Sequence, residues 1–258
     1  MGIKVDCELI KKEKIIDEIY KFSLNAPEIA KQAKAGQFLE IKVSKTSEPF
    51  LRRPISIFNI DGDIVEIIFQ VKGRGTELLA EIEEGEKIDI IGPLGFGAFK
   101  IQEYKKVAII GGGIGTYPLY ELAKELKGKA DVTMYMGFRN KDLVTLEKEF
   151  EEVANKLVLT TDDGSYKEKG FAINFLKEDC QKEKPDMIFA CGPLPMLKAV
   201  REFAIQENIP CQISLEERMG CGIGACLGCA VKVISGEEPR YGHVCKEGPV
   251  FNAKDVEI

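Results

Sequence analysis

Residues 107–118 read VAIIGGGIGTYP, an apolar run that passes into a glycine-rich turn and ends at a proline. The apolar run predicts a buried strand, and a proline is tolerated in the first turn of the helix that would follow. Glycines between a strand and a helix let backbone N–H groups approach a pyrophosphate, whose charge the helix N-terminus also favours. The stretch therefore predicts the first strand and the nucleotide-binding turn of a doubly wound sheet.

This turn departs from the common dinucleotide fingerprint in two respects. Pro118 stands where the third glycine usually stands, and the next strand ends in Gly-Phe-Arg at 137–139, without an acid to bind a ribose. Arg139 is compatible with a contact to an adenosine ribose or phosphate, and equally with a solvated surface position. The candidate NAD-binding residues of this region are Gly111, Gly113, Gly115 and Arg139.

Strands and helices alternate further along the chain. Apolar runs predict the next strands at 132–137, 157–160, 187–190 and 211–214. Helical periods between them predict helices at 118–126, 143–154, 172–178 and 195–206. This alternation is typical of a doubly wound parallel sheet, and it assigns residues 99–212 to an NAD-binding domain.

Cys191, Gly192 and Pro193 follow the strand at 187–190, at the end where parallel sheets collect their ligands. We therefore add them to the candidate NAD-binding residues. Cys191 is the single candidate for a catalytic residue, beside the nicotinamide, although a small buried core residue is the alternative.

Residues 1–98 consist instead of short alternating runs separated by turn residues, such as 37–43 and 63–71. A period of two at these spacings predicts an antiparallel barrel or sandwich. One short helix is predicted at 76–82 with Thr76 as its N-cap, and the glycine- and proline-rich residues 91–97 mark the domain boundary.

The cysteines near the C-terminus carry the most specific signal in the sequence. Their spacing is C-x4-C-x2-C…C, the plant-type ligand pattern of a [2Fe-2S] cluster, formed by Cys221, Cys226, Cys229 and Cys245. A four-cysteine zinc site is the alternative, although such sites usually show two C-x2-C pairs. A Rieske centre is excluded because it needs two histidines and His243 is the only one. Residues 213–258 form the predicted small cluster domain.

Two segments of the N-terminal domain carry anion-binding chemistry. Residues 52–56 read RRPIS and place two guanidinium groups and a hydroxyl beside a proline, while 73–76 read GRGT and open the short helix. Each alone is typical of an ordinary turn. Together with a cluster and a dinucleotide site they indicate a flavin, because a one-electron cluster cannot accept a hydride directly.

The composition excludes several classes of protein function. The 258 residues carry 36 Lys and Arg against 42 Asp and Glu, a net charge of −6 that suits neither nucleic acid nor an anionic membrane surface. No apolar stretch reaches the roughly 20 residues of a membrane span, and the N-terminus lacks the pattern of a signal peptide. We therefore expect a cytoplasmic protein.

The motifs RPIS at 53–56, GIG at 113–115 and CGP at 191–193 resemble those of the ferredoxin-reductase superfamily. With EERMGCGIGAC at 216–226 and CKEGPVF at 245–251, the chain resembles, essentially end to end, the electron transfer subunits of NAD-dependent (type B) dihydroorotate dehydrogenases. The resemblance implies an FAD-binding antiparallel β-barrel, a nucleotide-binding domain with a doubly wound parallel sheet, and a C-terminal [2Fe-2S] domain.

The resemblance also implies roles for residues. In the family, the counterparts of Arg53 and Ser56 hold the flavin phosphate and the ring edge. The counterpart of residues 68–70 lies along the FAD, and the counterparts of Gly75 and Thr76 cap its diphosphate. The implied FAD-binding residues are Arg53, Pro54, Ile55, Ser56, Ile68, Phe69, Gln70, Gly75 and Thr76. Ile55 stands where many ferredoxin reductases have a tyrosine, so that flavin stacking would come from elsewhere or be weaker.

The implied partner is an FMN-containing catalytic subunit that oxidises dihydroorotate in pyrimidine biosynthesis, with two copies of each chain in a heterotetramer. Electrons would pass from that subunit through the [2Fe-2S] cluster and FAD to NAD. Two alternatives stay open at this point. One is the flavin and iron-sulfur subunit of a ferredoxin-linked NAD(P)H oxidoreductase or of a sulfide dehydrogenase, and the other is a zinc-stabilised nucleotide-binding regulatory module.

Overall fold

The structure, a computed structural model, describes residues 2–236 and 238–258. The chain divides into two compact units, each assembled from more than one segment. The first comprises residues up to 98, 216–230 and 243–249, and the second comprises 99–215, the described residues of 231–242, and 250–258. The division into three domains at 98/99 and 212/213 stays a prediction, since the residues after 215 are shared between the two units.

Within the described part of the first unit, six strands close an antiparallel barrel in the order β1-β2-β5-β4-β3-β6. The strands are β1 (Ile3–Ile16), β2 (Ile19–Asn25), β3 (Phe38–Ile41), β4 (Arg53–Asp61), β5 (Ile64–Gln70) and β6 (Lys87–Leu94). Alternate side chains point inward, and Phe22, Leu39 and Ile67 are completely buried in the core. The predicted antiparallel barrel is thus confirmed.

Two helices accompany the barrel, α1 (Pro27–Ala30) and α2 (Arg74–Glu81). Helix α2 buries Leu79 against the barrel core. The predicted N-cap at Thr76 is wrong, because the helix begins at Arg74. The Thr76 hydroxyl lies inside the first turn, where it donates to the Gly73 carbonyl and accepts the N–H groups of Lys72 and Gly73.

Within the described part of the second unit, one sheet has seven strands in the order β10-β9-β8-β7-β11-β12-β15. They are β7 (Lys106–Gly112), β8 (Asp131–Phe138), β9 (Lys156–Thr161), β10 (Glu168–Lys169), β11 (Met187–Cys191), β12 (Cys211–Ser214) and β15 (Val250–Asn252). The first six are parallel and β15 is antiparallel to β12. A smaller sheet has the order β14-β13-β16, formed by β13 (Ala230–Val233), β14 (Arg240–His243) and β16 (Val256–Glu257).

The helices of this unit are α3 (Leu119–Leu126), α4 (Glu147–Val153), α5 (Ala172–Lys182) and α6 (Leu194–Gln206). Helix α4 begins four residues later than predicted, because residues 141–143 form a separate 3-10 turn and Leu146 is left-handed, with φ 58°. The parallel, doubly wound sheet is confirmed. Its order changes direction between β7 and β11, and ligands of such sheets bind outside the strand ends at that point.

Among the described residues, no helix is long and apolar enough to cross a membrane.

Candidate functional site

The four predicted cluster cysteines lie in the first unit, where they form two pairs. Hydrogen bonds join the thiol of Cys221 to that of Cys226 and the thiol of Cys229 to that of Cys245. Backbone N–H groups reinforce both pairs, since Cys226 donates to the Cys221 Sγ at 3.3 Å and Cys245 donates to the Cys229 Sγ at 3.4 Å. The structure therefore groups residues that are up to 24 positions apart in the sequence.

This grouping fits a two-iron cluster, in which each iron takes two protein ligands. A single structural zinc would need its four ligands around one point. Within residues 2–236 and 238–258, no three His, Cys, Asp or Glu side chains are arranged to hold one ion. His243 is the last residue of β14, and its carbonyl accepts the N–H groups of Lys246 and Glu247 in the turn that follows.

The two cysteine pairs differ in environment. Cys226 is exposed, whereas Cys229 and Cys245 are buried. Burial opposes ionisation of Cys221, but the N–H groups of Cys226, Ile223 and Ala225 outweigh it and lower the pKa of this thiol to about 7. Burial and the neighbouring Cys229 raise the pKa of Cys245 to about 12, so Cys245 needs a bound metal to become a thiolate.

The candidate flavin residues come together at one end of the barrel. The Arg53 guanidinium lies over the start of α2, where it fills the space that a Cβ on Gly75 would need. Its Nη1 also donates to the Leu51 carbonyl at 2.7 Å. A guanidinium group beside backbone N–H groups at a helix start is a fitting site for a phosphate.

The neighbouring Arg52 serves a different purpose. Its guanidinium donates to the Asp89 carboxylate at 2.7 Å and to the Asp89 carbonyl at 2.9 Å, and these bonds hold the residue just before β4 against β6. Only Arg53 of the predicted arginine pair is therefore placed for a ligand. The sequence alone does not separate the two residues.

The remaining candidate flavin residues lie on two adjacent strands. Pro54, Ile55 and Ser56 are half-buried on β4. On β5, Phe69 packs inside the barrel with its ring edge-on to Phe22, at 5.0 Å between ring centroids. Phe69 could therefore reach a ligand only through its backbone, and the same strand carries the buried Ile68 and the half-buried Gln70.

The candidate NAD residues lie at the carboxyl ends of β7 and β11 in the second unit. Gly111 and Cys191 are register partners on these neighbouring strands. A Cβ on Gly115 would lie 2.5 Å from the Cα of Gly192. A Cβ on Gly112 would lie 2.8 Å from the ring Cδ of Pro193, so the glycines at both positions permit close contacts that a side chain would prevent.

Arg139 follows β8 at the same edge of the sheet, and its carbonyl accepts the Asp163 N–H at 3.3 Å. Burial raises the pKa of Asp162, and the charge of Arg139 opposes that rise. No recognised sequence motif singles out Asp162 and Asp163. Their signal is the Asp-Asp-Gly run at 162–164, directly after an apolar strand.

Glu40 on β3 is a further residue that no sequence motif singles out. It is 1% exposed, and its Oε1 has no hydrogen-bond partner. Burial raises its pKa to about 7, against the opposing charges of Arg52 and Arg53. Its only sequence signal is a carboxylate inside the apolar run FLEI at 38–41.

Two family models match the chain. The iron-sulfur cluster binding domain of dihydroorotate dehydrogenase B matches residues 216–257, and the oxidoreductase NAD-binding domain matches residues 109–202. The first match contains the four paired cysteines. The second contains both glycine turns.

The chain is also similar to whole proteins. It is 41% identical over 255 residues to a protein of Bacillus pumilus (97% of this chain, 96% of the relative), and 39% identical over 256 residues to one of Caldanaerobacter subterraneus (99% of each). Both relatives bear the name dihydroorotate dehydrogenase B (NAD(+)), electron transfer subunit.

Solved structures share the fold. A chain of an NADH-dependent reduced ferredoxin-NADP oxidoreductase superposes with a TM-score of 0.86 at 30% identity, over 100% of this chain and 91% of its own length. A flavohemoglobin from Malassezia yamatoensis superposes with a TM-score of 0.63 at 19% identity, over 80% of this chain and 57% of its own, a likeness of fold alone.

Proposed function

Because the chain belongs to the family of electron transfer subunits of dihydroorotate dehydrogenase B, we propose that it carries electrons from a dihydroorotate-oxidising partner to NAD+ in pyrimidine biosynthesis. The observation that carries the proposal is the pairing of Cys221 with Cys226 and of Cys229 with Cys245, inside the segment that matches the iron-sulfur family model. The cofactors are a [2Fe-2S] cluster, FAD and NAD.

The proposed cluster ligands are the four paired cysteines. The Ala225 and Cys226 N–H groups hold the Cys221 sulfur, and they would stabilise negative charge on it when the cluster is bound. Cys229 and Cys245 are buried, and their sulfur atoms are therefore shielded from water. The pair of the half-buried Cys221 and the exposed Cys226 therefore lies toward solvent or a partner, and the buried pair of Cys229 and Cys245 lies toward the interior of the unit.

When bound, FAD supplies the exchange between single electrons and the hydride that NAD+ accepts. In this proposal Arg53 binds a flavin phosphate together with the N–H groups at Gly75 and Thr76, and Ser56 binds the ring edge. Pro54 and Ile55 continue this surface along β4, while Ile68, Phe69 and Gln70 supply backbone along β5. The half-buried strand positions of β4 are consistent with these roles.

For NAD we propose that Gly111, Gly113 and Gly115 bind the pyrophosphate through backbone N–H groups. Arg139 would contact the adenosine ribose. Cys191, Gly192 and Pro193 would border the nicotinamide. Their shared place outside the carboxyl ends of β7 and β11 supports this arrangement.

Exposed apolar residues around the cluster loop support a docking partner. Ile223 and Leu227 flank Cys226 and are 56% and 59% exposed. Phe96 is 74% exposed, and its N–H donates to the Lys246 carbonyl beside Cys245. Apolar side chains gathered at one site are typical of an interaction surface.

We propose that the partner is an FMN-containing dihydroorotate dehydrogenase catalytic subunit, with two copies of each chain in a heterotetramer. A substrate-oxidising barrel enzyme needs about 250 residues. The two units described here already take up the present chain, so such a barrel would have to belong to a separate subunit. A cytoplasmic location belongs to the same proposal, because free thiolate ligands persist in a reducing compartment.

The isolated chain, purified anaerobically with its cofactors, is expected to oxidise NADH with an artificial acceptor and to form no orotate from dihydroorotate. Addition of the catalytic subunit should restore NAD+ reduction by dihydroorotate. The assay follows absorbance of NADH and orotate with and without the partner. Formation of orotate by the chain alone would contradict the proposal.

A second candidate function follows from the 0.86 TM-score to the ferredoxin-NADP oxidoreductase chain. Under it, the chain serves a ferredoxin-linked NAD(P)H oxidoreductase. Purification of the chain with its natural partner separates the two functions. A partner that carries FMN supports the first, and a partner that carries further iron-sulfur clusters supports the second.

Replacement of Arg53 by alanine is expected to weaken FAD binding about 30-fold. A hydrogen bond to a charged group contributes about 1.5–3 kcal/mol, and this guanidinium is the one placed over the start of α2. Titration of the apoprotein with FAD, followed by flavin fluorescence, measures the change. Arg52→Ala is the matched control, because loss of its Asp89 ion pair should lower the melting temperature and leave FAD affinity within about threefold. Equal losses of affinity in both variants would refute the assignment.

A further inference from the structure

Glu40 is a buried carboxylate that the proposed function does not use. It is 1% exposed in the middle of β3, and its Oε1 is buried without a hydrogen-bond partner. The oxygens of buried carboxylates normally accept hydrogen bonds, because otherwise no interaction compensates for their loss of hydration. An unpaired carboxylate oxygen in a well-packed barrel therefore calls for a functional explanation.

The surroundings of Glu40 connect the two candidate cofactor sites of the first unit. On one side, Glu40 pairs in register with Pro54 of the proposed flavin-binding strand. On the other side, its carboxyl lies against the backbone of Gly222, where a Cβ would be 2.8 Å from the Glu40 carboxyl carbon and nearer still to Cγ and Oε1. Gly222 directly follows Cys221, the first proposed cluster ligand.

The turn at Gly222 needs a glycine for two reasons. Its φ is +67°, a left-handed conformation that side chains disfavour, and the Glu40 side chain occupies the space of a Cβ. The barrel strand and the cluster loop are thus fitted to one another at this contact. The electrostatic neighbours of the carboxyl are Cys221, which repels its charge, and Arg52 and Arg53, which attract it.

We propose that Glu40 is a positioning residue for the iron-sulfur cluster, which seats the loop at Gly222 and holds a carboxylate beside the Cys221 end of the cluster. A negative group at this place disfavours the added electron and so lowers the cluster's reduction potential. In the proposed direction of transfer, a lower potential favours passage of electrons onward to the flavin. The inference rests on the proposed role of Cys221 as a ligand.

Replacement by glutamine tests the proposal, because Glu40→Gln keeps the shape against Gly222 and removes the charge. The ratio of reduced to oxidised cluster at a fixed potential is expected to rise about tenfold, which for a one-electron couple is about 59 mV. The measurement is a redox titration of the anaerobically purified full chain at about pH 9, above the raised pKa of Glu40 so that its carboxyl is ionised, followed by the electron paramagnetic resonance signal of the reduced cluster.

Glu66→Gln is the matched control, since Glu66 is a half-buried barrel carboxylate bonded to Ser23 and Asn59. An unchanged potential in Glu40→Gln, or an equal shift in both variants, overturns the proposal. Should Glu40→Gln lose its iron, Glu40→Asp is titrated instead. Aspartate withdraws the carboxylate from Gly222 by one methylene, so a smaller rise is expected and an unchanged potential again overturns the proposal.

Iron analysis of the unmodified chain keeps the two hypotheses separate. A chain that binds no iron contradicts the ligand assignment itself. A chain that binds iron normally and shows no effect of Glu40→Gln contradicts only the role of Glu40.

Discussion

A chain with Cys229→Ser is expected to lose its cluster and, with it, more than about 100-fold of the rate at which dihydroorotate reduces NAD+ in the complex. Cys229 is 1% exposed and pairs with Cys245. A serine hydroxyl is far less acidic than a thiol and is a weaker ligand for cluster iron, and a loss of about 100-fold corresponds to about 3 kcal/mol, at about 1.4 kcal/mol per factor of ten. Iron content and the visible spectrum measure the loss directly.

The same variant should keep its oxidation of NADH by an artificial acceptor, because that reaction needs only the flavin and nucleotide sites. Cys180→Ser is the matched control. Cys180 is also a buried thiol, but it lies on α5 in the second unit, so its replacement should change neither iron content nor electron transfer. Retention of iron by Cys229→Ser with an unchanged visible spectrum would refute its assignment as a ligand.

The fold was largely predictable because hydrophobic periodicity reports which faces are buried. Period-two runs gave the barrel strands, and the alternation of apolar runs with helical periods gave the parallel sheet. Helix starts were less predictable, since a threonine hydroxyl can cap a helix from outside or bond within the first turn. The Thr76 hydroxyl bonds to the Gly73 carbonyl from within the first turn, and α2 begins at Arg74, two residues before Thr76.

The candidate site was predictable where spacing along the chain dictates chemistry, as for the cysteine motif at 221–229. It was not predictable where a role depends on distant partners. Arg52 and Arg53 are equivalent in the sequence, and only the position of Asp89 on β6 gives Arg52 a structural role. The burial of Glu40 depends on a loop that lies more than 170 residues further along the chain.

Replacement of Gly115 by alanine is expected to lower kcat/KM for NADH about 100-fold. The added Cβ would meet backbone atoms only, at 2.5 Å from the Cα of Gly192, 2.7 Å from its N and 2.9 Å from the carbonyl carbon of Cys191. Since no flexible side chain can yield, the two turns must separate, and overpacking of this kind costs about 1–3 kcal/mol. Separation of the turns would displace the N–H groups proposed to bind the pyrophosphate.

Steady-state oxidation of NADH with an artificial acceptor measures this effect, with flavin and iron content checked in the same preparation. Both contents should equal those of the unmodified chain, because Gly115 lies in the second unit and the flavin and cluster residues lie in the first. Gly128→Asn is the matched control, since Gly128 has a φ of +75° in an open turn that asparagine tolerates. An unchanged kcat/KM in Gly115→Ala would show that the close approach of the two turns is not needed for NADH binding, and would remove the main structural support for the nucleotide site.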